Sequence, residues 1–208
     1  MSESESSLRA VFLNCTLKPS PEPSNTQALA EVVADGLRER GVSVEFVRMA
    51  DLNVPPGVKT EMGEGDEWPR VHEMLLNAQI LVVASPTWVG RPSSLAQRVL
   101  ERMDAMLSET DDEERPVAYN RVAGVVVTGN EDGAHHVISE INGALADIGY
   151  TVPGQAWTYW HLGPGPGPDY LDDPRGHDWS AKTARAMASN LVAVARALDS
   201  RPVPPPPG

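Results

Sequence analysis

A regular alternation between short apolar runs and longer segments with helical spacing constrains the fold of this chain most strongly. Continuous runs rich in Val, Ile and Leu occur at residues 8–14, 79–84 and 121–128, as is typical of parallel strands buried on both faces. Residues 42–49 alternate apolar and polar positions instead, which indicates an edge strand covered on one face. A weaker fifth strand is expected to start near Tyr150.

The segments between these strands place apolar residues at steps of three and four, so each can bury one helical face. The clearest of the five stripes consists of Val137, Ile138, Ile141, Leu145 and Ile148. Strands that alternate with helices favour right-handed crossovers. The sequence therefore predicts an α/β fold, a doubly wound five-stranded parallel sheet of order 2-1-3-4-5 with helices on both faces.

The chain is predicted to form one domain over residues 8–200, since 208 residues suffice to bury one sizeable core. Residues 1–7 are small or acidic and residues 201–208 read RPVPPPPG. Both segments are expected to be disordered tails, because such compositions pack poorly. A polyproline-ligand role for the second tail is the less favoured alternative.

Charge and cysteine content exclude several functional classes. The chain has 17 basic and 29 acidic residues, a formal net charge of −12, which argues against a nucleic-acid partner. It has no apolar run of the roughly 18 to 20 residues that span a bilayer and no signal-peptide pattern, so we expect no membrane span and a cytoplasmic location. With Cys15 as its single cysteine, a disulfide within the chain is impossible and no metal site is expected.

In a doubly wound sheet, ligands bind beyond the carboxyl ends of the strands, where the strand order reverses. The loop after the first strand, residues 14–26, carries hydroxyl and amide side chains and leads into a helix, which suits a phosphate group. It contains no glycine and neither nucleotide-binding fingerprint, which favours a monophosphate over a pyrophosphate. Ser24 with Gln27 could also form a simple capping box that needs no ligand.

The loops after the third and fourth strands face the same edge. Trp88 offers a flat surface there and Gly90 allows close backbone approach, although a turn with a packed tryptophan is the plainer interpretation. Gly129 and Gly133 could present backbone amides to a ring, whereas Asp132 could merely cap the next helix. A receiver-type phosphoacceptor is disfavoured, because residues 14, 15 and 85 are not acidic.

A glycine–proline segment, residues 163–168, follows the predicted fifth strand. Its alternate prolines lack the amide donors of a phosphate cradle, so we interpret it as a rigid loop. The flanking residues Trp157, Tyr159, Trp160 and Tyr170 are unusually aromatic for a chain with 5% aromatic residues. They are expected to cover a flat ligand or a partner subunit.

Three motifs, in this order, resemble the flavodoxin-like NAD(P)H-dependent FMN reductase family. They are AVFLNCT followed by SNTQALA, then SPTWVGRPSSLAQRVLERMD, then VVVTGNEDGAHHV. The resemblance covers residues 8–199 and implies a flavodoxin-like fold. In this chain the stretch Pro19 to Pro23 lengthens the first loop relative to the family pattern.

The resemblance also implies the ligands and the residues that hold them. It implies FMN as cofactor, NADPH or NADH as electron donor, and homodimers or homotetramers in which a neighbouring chain completes the flavin pocket. The residues implied for the FMN phosphate are Thr16, Lys18, Ser24, Asn25 and Thr26. Those implied for the flavin ring are Pro86, Thr87, Trp88, Val89 and Gly90 on one edge and Thr128, Gly129, Asn130, Asp132 and Gly133 on the other.

The leading hypothesis is an FMN-dependent oxidoreductase that takes hydride from NAD(P)H and reduces a quinone, flavin or similar small acceptor. Because the flavin supplies the chemistry, no catalytic side chain is assigned. Two alternatives stay open: a flavodoxin-like electron carrier that docks a protein partner, and a fold that has lost its cofactor and serves only in protein interaction.

Overall fold

The computed structural model describes residues 8–207 and contains one mainly parallel sheet. Its strands are β1 (Arg9–Asn14), β2 (Ser43–Arg48), β3 (Ile80–Trp88), β4 (Arg91–Pro92), β5 (Val122–Thr128) and β6 (Trp157–Trp160). The five parallel strands lie in the order β2-β1-β3-β5-β6, and β4 pairs antiparallel with the end of β3. Without the short β4, this is the predicted 2-1-3-4-5 order, so the predicted fold class is confirmed.

Five helices cover the two faces of the sheet: α1 (Asn25–Arg38), α2 (Trp68–Leu76), α3 (Ser94–Met103), α4 (Ala134–Ile148) and α5 (His177–Ser200). The buried apolar sides of α1 and α5 pack on one face, and those of α2, α3 and α4 on the other. The predicted α4 stripe is buried in full. No helix in residues 8–207 is long and apolar enough to cross a bilayer.

Two strands differ from their predicted bounds. β3 continues past the apolar run as far as Trp88, because its last two residues pair with β4 across a tight reversal at Val89 and Gly90. Both reversal residues have positive φ, 53° and 71°, as a two-residue hairpin requires. Near Tyr150 the chain makes only one isolated bridge, between Thr151 and Val122, and regular pairing starts at Trp157.

The two predicted tails differ in what the structure describes. Residues 1–7 lie outside the described part of the chain, as does Gly208, so the expectation for the first tail concerns residues that are not described. Residues 201–207 are exposed and irregular. Within them Val203 donates its N–H to Oδ1 of Asn120 at 2.7 Å and accepts from Nδ2 at 3.4 Å.

A buried arginine in α3 fastens the long segment between β2 and α2, residues 52–67. The guanidinium of Arg102 donates to the carbonyl oxygens of Pro55, Lys59 and Thr60 at 3.0–3.1 Å and pairs with Asp66 at 2.6 Å, with both side chains fully buried. Burial alone would raise the pKa of Asp66, yet the Arg102 contact and two backbone N–H donors hold that pKa below its ordinary value. The charge pair therefore anchors a segment that lacks regular structure.

Candidate functional site

The predicted ligand loops meet in one cleft at the carboxyl ends of β1, β3 and β5. Ten of the fifteen residues predicted to bind the cofactor line it: Thr16, Lys18, Asn25, Thr26, Pro86, Thr87, Trp88, Thr128, Gly129 and Asn130. The other five, Ser24, Val89, Gly90, Asp132 and Gly133, lie beside the cleft without lining it. Three further residues line the cleft: Leu17 and Asp169, which were not predicted there, and Tyr170, which belongs to the aromatic group expected to cover a flat ligand or a partner subunit.

The first loop ends in a capped helix N-terminus that faces the cleft. Ser24 is the N-cap of α1, and its Oγ accepts the N–H of Gln27 at 3.1 Å. The Gln27 side chain does not return to Ser24, so only half of the expected capping box forms. The first N–H groups of a helix have no carbonyl partner within the helix, and here Asn25 and Thr26 stand at that position. This end of α1 can therefore receive an anion.

Thr26 links this helix to the strand that carries the opposite loop. Its Oγ1 lies 2.8 Å from the Oγ1 of Thr128 at the end of β5, and both side chains are buried. The hydrogen bond joins the two walls of the cleft directly.

Asn14, a buried residue that was not predicted to belong to the site, holds the first loop in place through its side chain. Its Oδ1 accepts the N–H of Thr16 at 3.2 Å, and its Nδ2 lies 3.2 Å from Oε1 of Gln27 and 3.4 Å from Oγ of Ser24. Gln27 Oε1 also accepts from Arg48 at the end of β2, at 2.6 Å. A polar residue at the end of a buried strand was the one available sequence signal.

The proline-rich extension of the first loop is fastened outward, onto the end of β2. Ser20 donates its N–H and its hydroxyl to the carboxylate of Asp51 at 2.7 and 2.6 Å, and Arg48 donates to the carbonyl of Glu22 at 2.8 Å. The Ser20 hydrogen bonds hold the pKa of Asp51 below its ordinary value. The extension thus leaves Lys18 lining the cleft.

The loop after β3 forms the lip of the cleft. Thr87 is buried, while Trp88 is 49% exposed and Val89 is 90% exposed. Ser93, the N-cap of α3, donates its hydroxyl to the carbonyl of Cys15 at 2.7 Å, so the lip and the first loop are joined. Burial raises the pKa of the Cys15 thiol well above its ordinary range, which keeps that thiol protonated and unreactive.

Two glycines of the loop after β5 have no room for a side chain. A Cβ on Gly129 would lie 2.8 Å from the carbonyl oxygen of Glu131 in the same loop and 3.1 Å from Cβ of Thr87, and a Cβ on Gly133 would lie 2.8 Å from Cα of Gly90 in the lip. Gly133, with φ of 110°, occupies the N-cap position of α4, so the alternative role of Asp132 as the cap is wrong. The close contact of the two loops explains why Gly90 and Gly133 lie behind the cleft lining.

The remaining wall comes from the glycine–proline loop, defined here as residues 162–173 after β6. Asp169 and Tyr170 of this loop line the cleft. The nearby aromatic residues lie elsewhere: Trp157, Tyr159 and His161 form a stacked row along β6 with ring centroids 5.5–5.8 Å apart. Of the aromatic residues in this stretch, Tyr170 therefore lies in the cleft wall, whereas the stacked row lies at the edge of the sheet.

The residues present fit a flavin monophosphate. The Oγ1 of Thr87 is buried in the cleft wall with no hydrogen-bond partner, which leaves a donor and an acceptor for a ligand with polar ring edges. Lys18 and the start of α1 suit one phosphate, and Trp88 gives a flat apolar surface. Within residues 8–207 no group of three or more His, Cys, Asp or Glu side chains could hold a metal ion.

Sequence comparisons find known proteins that are similar to this chain. Residues 8–163 match the family model described as NADPH-dependent FMN reductase. The chain is 35% identical over 206 residues to 8-demethyl-8-aminoriboflavin-5'-phosphate synthase of Streptomyces davaonensis, covering 94% of this chain and 80% of the synthase. It is 39% identical over 198 residues to the divalent metal cation transporter MntH of Mycobacterium bovis, but spans only 29% of that protein's length.

Solved structures share the fold. The crystal structure of RosB with the bound intermediate 8-demethyl-8-formylriboflavin-5'-phosphate matches with a TM-score of 0.85 and 33% identity, covering 95% of this chain and 82% of RosB. An archaeal flavodoxin matches with a TM-score of 0.57 and 12% identity, covering 91% of this chain and 99% of the flavodoxin. At that identity the second match bears on the fold alone.

Proposed function

The chain belongs to the NADPH-dependent FMN reductase family, and from that premise we propose that it is an oxidoreductase that reduces a quinone, flavin or similar small acceptor with NADPH or NADH. It is a flavoprotein with FMN as cofactor and NAD(P)H as electron donor. The observation that carries the proposal is the meeting of the three predicted loops in a single cleft. Bound FMN supplies hydride and electron transfer.

The first loop is proposed to bind the phosphate of FMN. The free N–H groups at the start of α1, the hydroxyls of Thr16 and Thr26 and the ammonium group of Lys18 converge there. Asn14 holds this arrangement in place through the N–H of Thr16. These groups suit one phosphate held by side chains and amides together.

The other two loops are proposed to position the flavin ring. The unpartnered hydroxyl of Thr87 and the backbone of Gly129 can hydrogen-bond to its polar edge, and amide donors there would stabilise negative charge on the reduced ring. Trp88 is half exposed at the lip, so the cleft stays open beside it for a donor and then an acceptor.

A second candidate function is an enzyme that chemically modifies the FMN molecule, which would then be its substrate. It is favoured by the similarity to the Streptomyces davaonensis synthase, which extends over 206 residues, whereas the match to the family model ends at residue 163. Residues 164–173 of the glycine–proline loop and the whole of α5 lie beyond the part that matches the family model. In that case the ligand in the cleft would be a substrate that leaves altered.

One experiment separates these candidates. Protein incubated with FMN and desalted is examined by absorption before and after anaerobic addition of NADPH and then NADH. We expect flavin bands that NAD(P)H bleaches quickly, with FMN of unchanged mass recovered after aerobic turnover. Bands that persist with both donors would favour the electron carrier, and recovered flavin of altered mass would favour the modifying enzyme. Because a substrate flavin is removed by desalting, protein without flavin bands would contradict the reductase and the carrier but not the modifying enzyme.

We also propose that the chain forms homodimers or homotetramers through the aromatic edge of β6. Trp179 at the start of α5 is 44% exposed and packs against Tyr159, with ring centroids 4.8 Å apart. Such half-exposed aromatic rings are typical of protein interfaces. Trp179→Glu should shift the sedimentation mass toward the monomer, and Trp88→Glu at the cleft lip serves as the control; an unshifted Trp179 variant would contradict the assignment.

A further inference from the structure

Exposed apolar side chains surround the mouth of the cleft. Four of them stand on the loops that build it, and we call these four the apolar rim: Leu17 of the first loop, Trp88 and Val89 of the lip, and Leu171 of the glycine–proline loop. Leu17 and Trp88 line the cleft itself, and Leu171 adjoins the lining residue Tyr170. Single exposed apolar residues are ordinary on a protein surface, but a group of them around one opening marks a binding site.

Backbone contacts hold the apolar rim in position. Leu171 donates its N–H to Oδ1 of Asn25 at 3.0 Å. The residues on either side of Leu17 are joined by a hydrogen bond from the N–H of Lys18 to Oγ1 of Thr16 at 3.4 Å, and the lip is held by the pairing of β3 with β4. Because these contacts fix the three loops, the rim is in place before a ligand enters, which lowers the cost of binding.

Val89 is unfavourable for the fold itself. Its φ of 53° is one that a β-branched residue rarely adopts, and asparagine or glycine suits a two-residue hairpin better. Its side chain is also the most exposed of the rim, so the strained backbone gains no burial within the chain. Strain of this kind beside a ligand site points to a function, and an apolar side chain serves contact with an apolar ligand.

A ligand that extends out of the cleft meets this rim. We propose that the electron acceptor is a quinone with a hydrocarbon chain, whose ring lies beside Trp88 and whose chain lies on the rest of the rim. Four residues are too few for a protein partner, since a standard interface has about 20–30 residues a side. The inference rests on the proposed reductase function. In the overall reaction NAD(P)H loses a hydride and becomes NAD(P)⁺, and the quinone takes up two electrons and two protons, one of them from water, to give the hydroquinone.

The test is the dissociation constant of naphthoquinones that carry a methyl, a propyl or a hexyl chain, measured by equilibrium dialysis against the oxidised, FMN-loaded protein. A methylene group that leaves water completely strengthens binding about fourfold. A rim that covers one side of the chain removes about half of its surface from water, so we expect about twofold for each methylene. The hexyl compound, which has five methylenes more than the methyl compound, should therefore bind about 30-fold more tightly.

Two substitutions remove the apolar rim and one serves as the control. Val89→Asn replaces the apolar side chain by one that tolerates positive φ, so this variant should fold. Combined with Leu171→Ser, it should lower the ratio of hexyl to methyl affinity from about 30-fold to below about fivefold. Val58→Asn is the matched control, because Val58 is an exposed valine of the segment 52–67 that does not line the cleft. Its ratio should equal that of the wild type.

The outcomes separate this inference from the proposed function. A wild-type affinity that does not change with chain length, or an equal ratio in wild type and double variant, would overturn the inference even if NAD(P)H reduces the methyl compound. A ratio that depends on the rim would sustain the assignment of the rim to such a ligand even if no quinone is reduced, and the proposed function alone would then fail. If chain length has no effect and the double variant sediments as a smaller oligomer than the wild type, the rim is an interface between copies of the chain and the inference is wrong.

Discussion

Replacing Asn14 by alanine tests whether a residue outside the cleft sets its affinity for FMN. The substitution removes the acceptor of the Thr16 N–H and the donor to Ser24 and Gln27. Asn14 is fully buried, so the stranded Thr16 N–H costs about 1–3 kcal/mol, and the two longer bonds add little. If the whole cost of about 2 kcal/mol appears in the free energy of FMN binding, the FMN dissociation constant rises about 30-fold.

The assay is a fluorescence titration with FMN, paired with urea unfolding of the flavin-free protein to record any loss of stability. Gln79→Ala is the control: its Oε1 accepts one backbone N–H, from Arg9 at 3.0 Å, at the opposite edge of the sheet. The control should leave FMN affinity unchanged. An Asn14→Ala dissociation constant within twofold of wild type, or an equal loss in the control, would refute the positioning role.

Three further predictions concern the phosphate loop and the buried charge pair. Changing Ser24 and Thr26 together to alanine removes the α1 N-cap and the bond to Thr128, so FMN retention on a desalting column should fall; unchanged affinity would exclude the phosphate assignment. Arg102→Met leaves the buried Asp66 carboxylate without its charge partner and should lower the free energy of unfolding by about 3–5 kcal/mol. The double variant that also carries Asp66→Asn should recover part of this loss. A double variant as unstable as the single variant would contradict the prediction. Because the folded-state pKa of Asp66 is lowered, its contribution to stability is complete above the unfolded value of about 3.9 and disappears as pH falls through the folded value; the acid loss in urea midpoint should be smaller in Asp66→Asn.

The strand order and the ligand edge could be predicted because both follow from periodicity. Continuous apolar runs marked β1, β3 and β5, and parallel strands bring their following loops to one edge. The extension of β3 to Trp88 could not be predicted, because it depends on a reversal at Val89, a β-branched residue that rarely adopts positive φ. Pairing across that reversal, not hydrophobicity, decides where the strand ends.

The cleft residue Asp169 shows a second limit. Its loop is held at the cleft in part by the hydrogen bond from Leu171 to Asn25, 146 positions away in the chain. No local pattern around residue 169 reports that contact. The sequence predicts a rigid loop for the glycine–proline segment, but it gives no sign that the glycines of the segment pack tightly against Asn130.

The contact between Val203 and Asn120 fixes where the C-terminal segment leaves the domain. Asn120 precedes β5, whereas the cleft lies beyond the last residue of that strand, Thr128. Seven strand residues separate the two ends by about 20 Å. A label, solid support or fused protein attached after residue 207 would therefore extend away from the cleft, so the protein can be immobilised by this end with the cleft facing the solution.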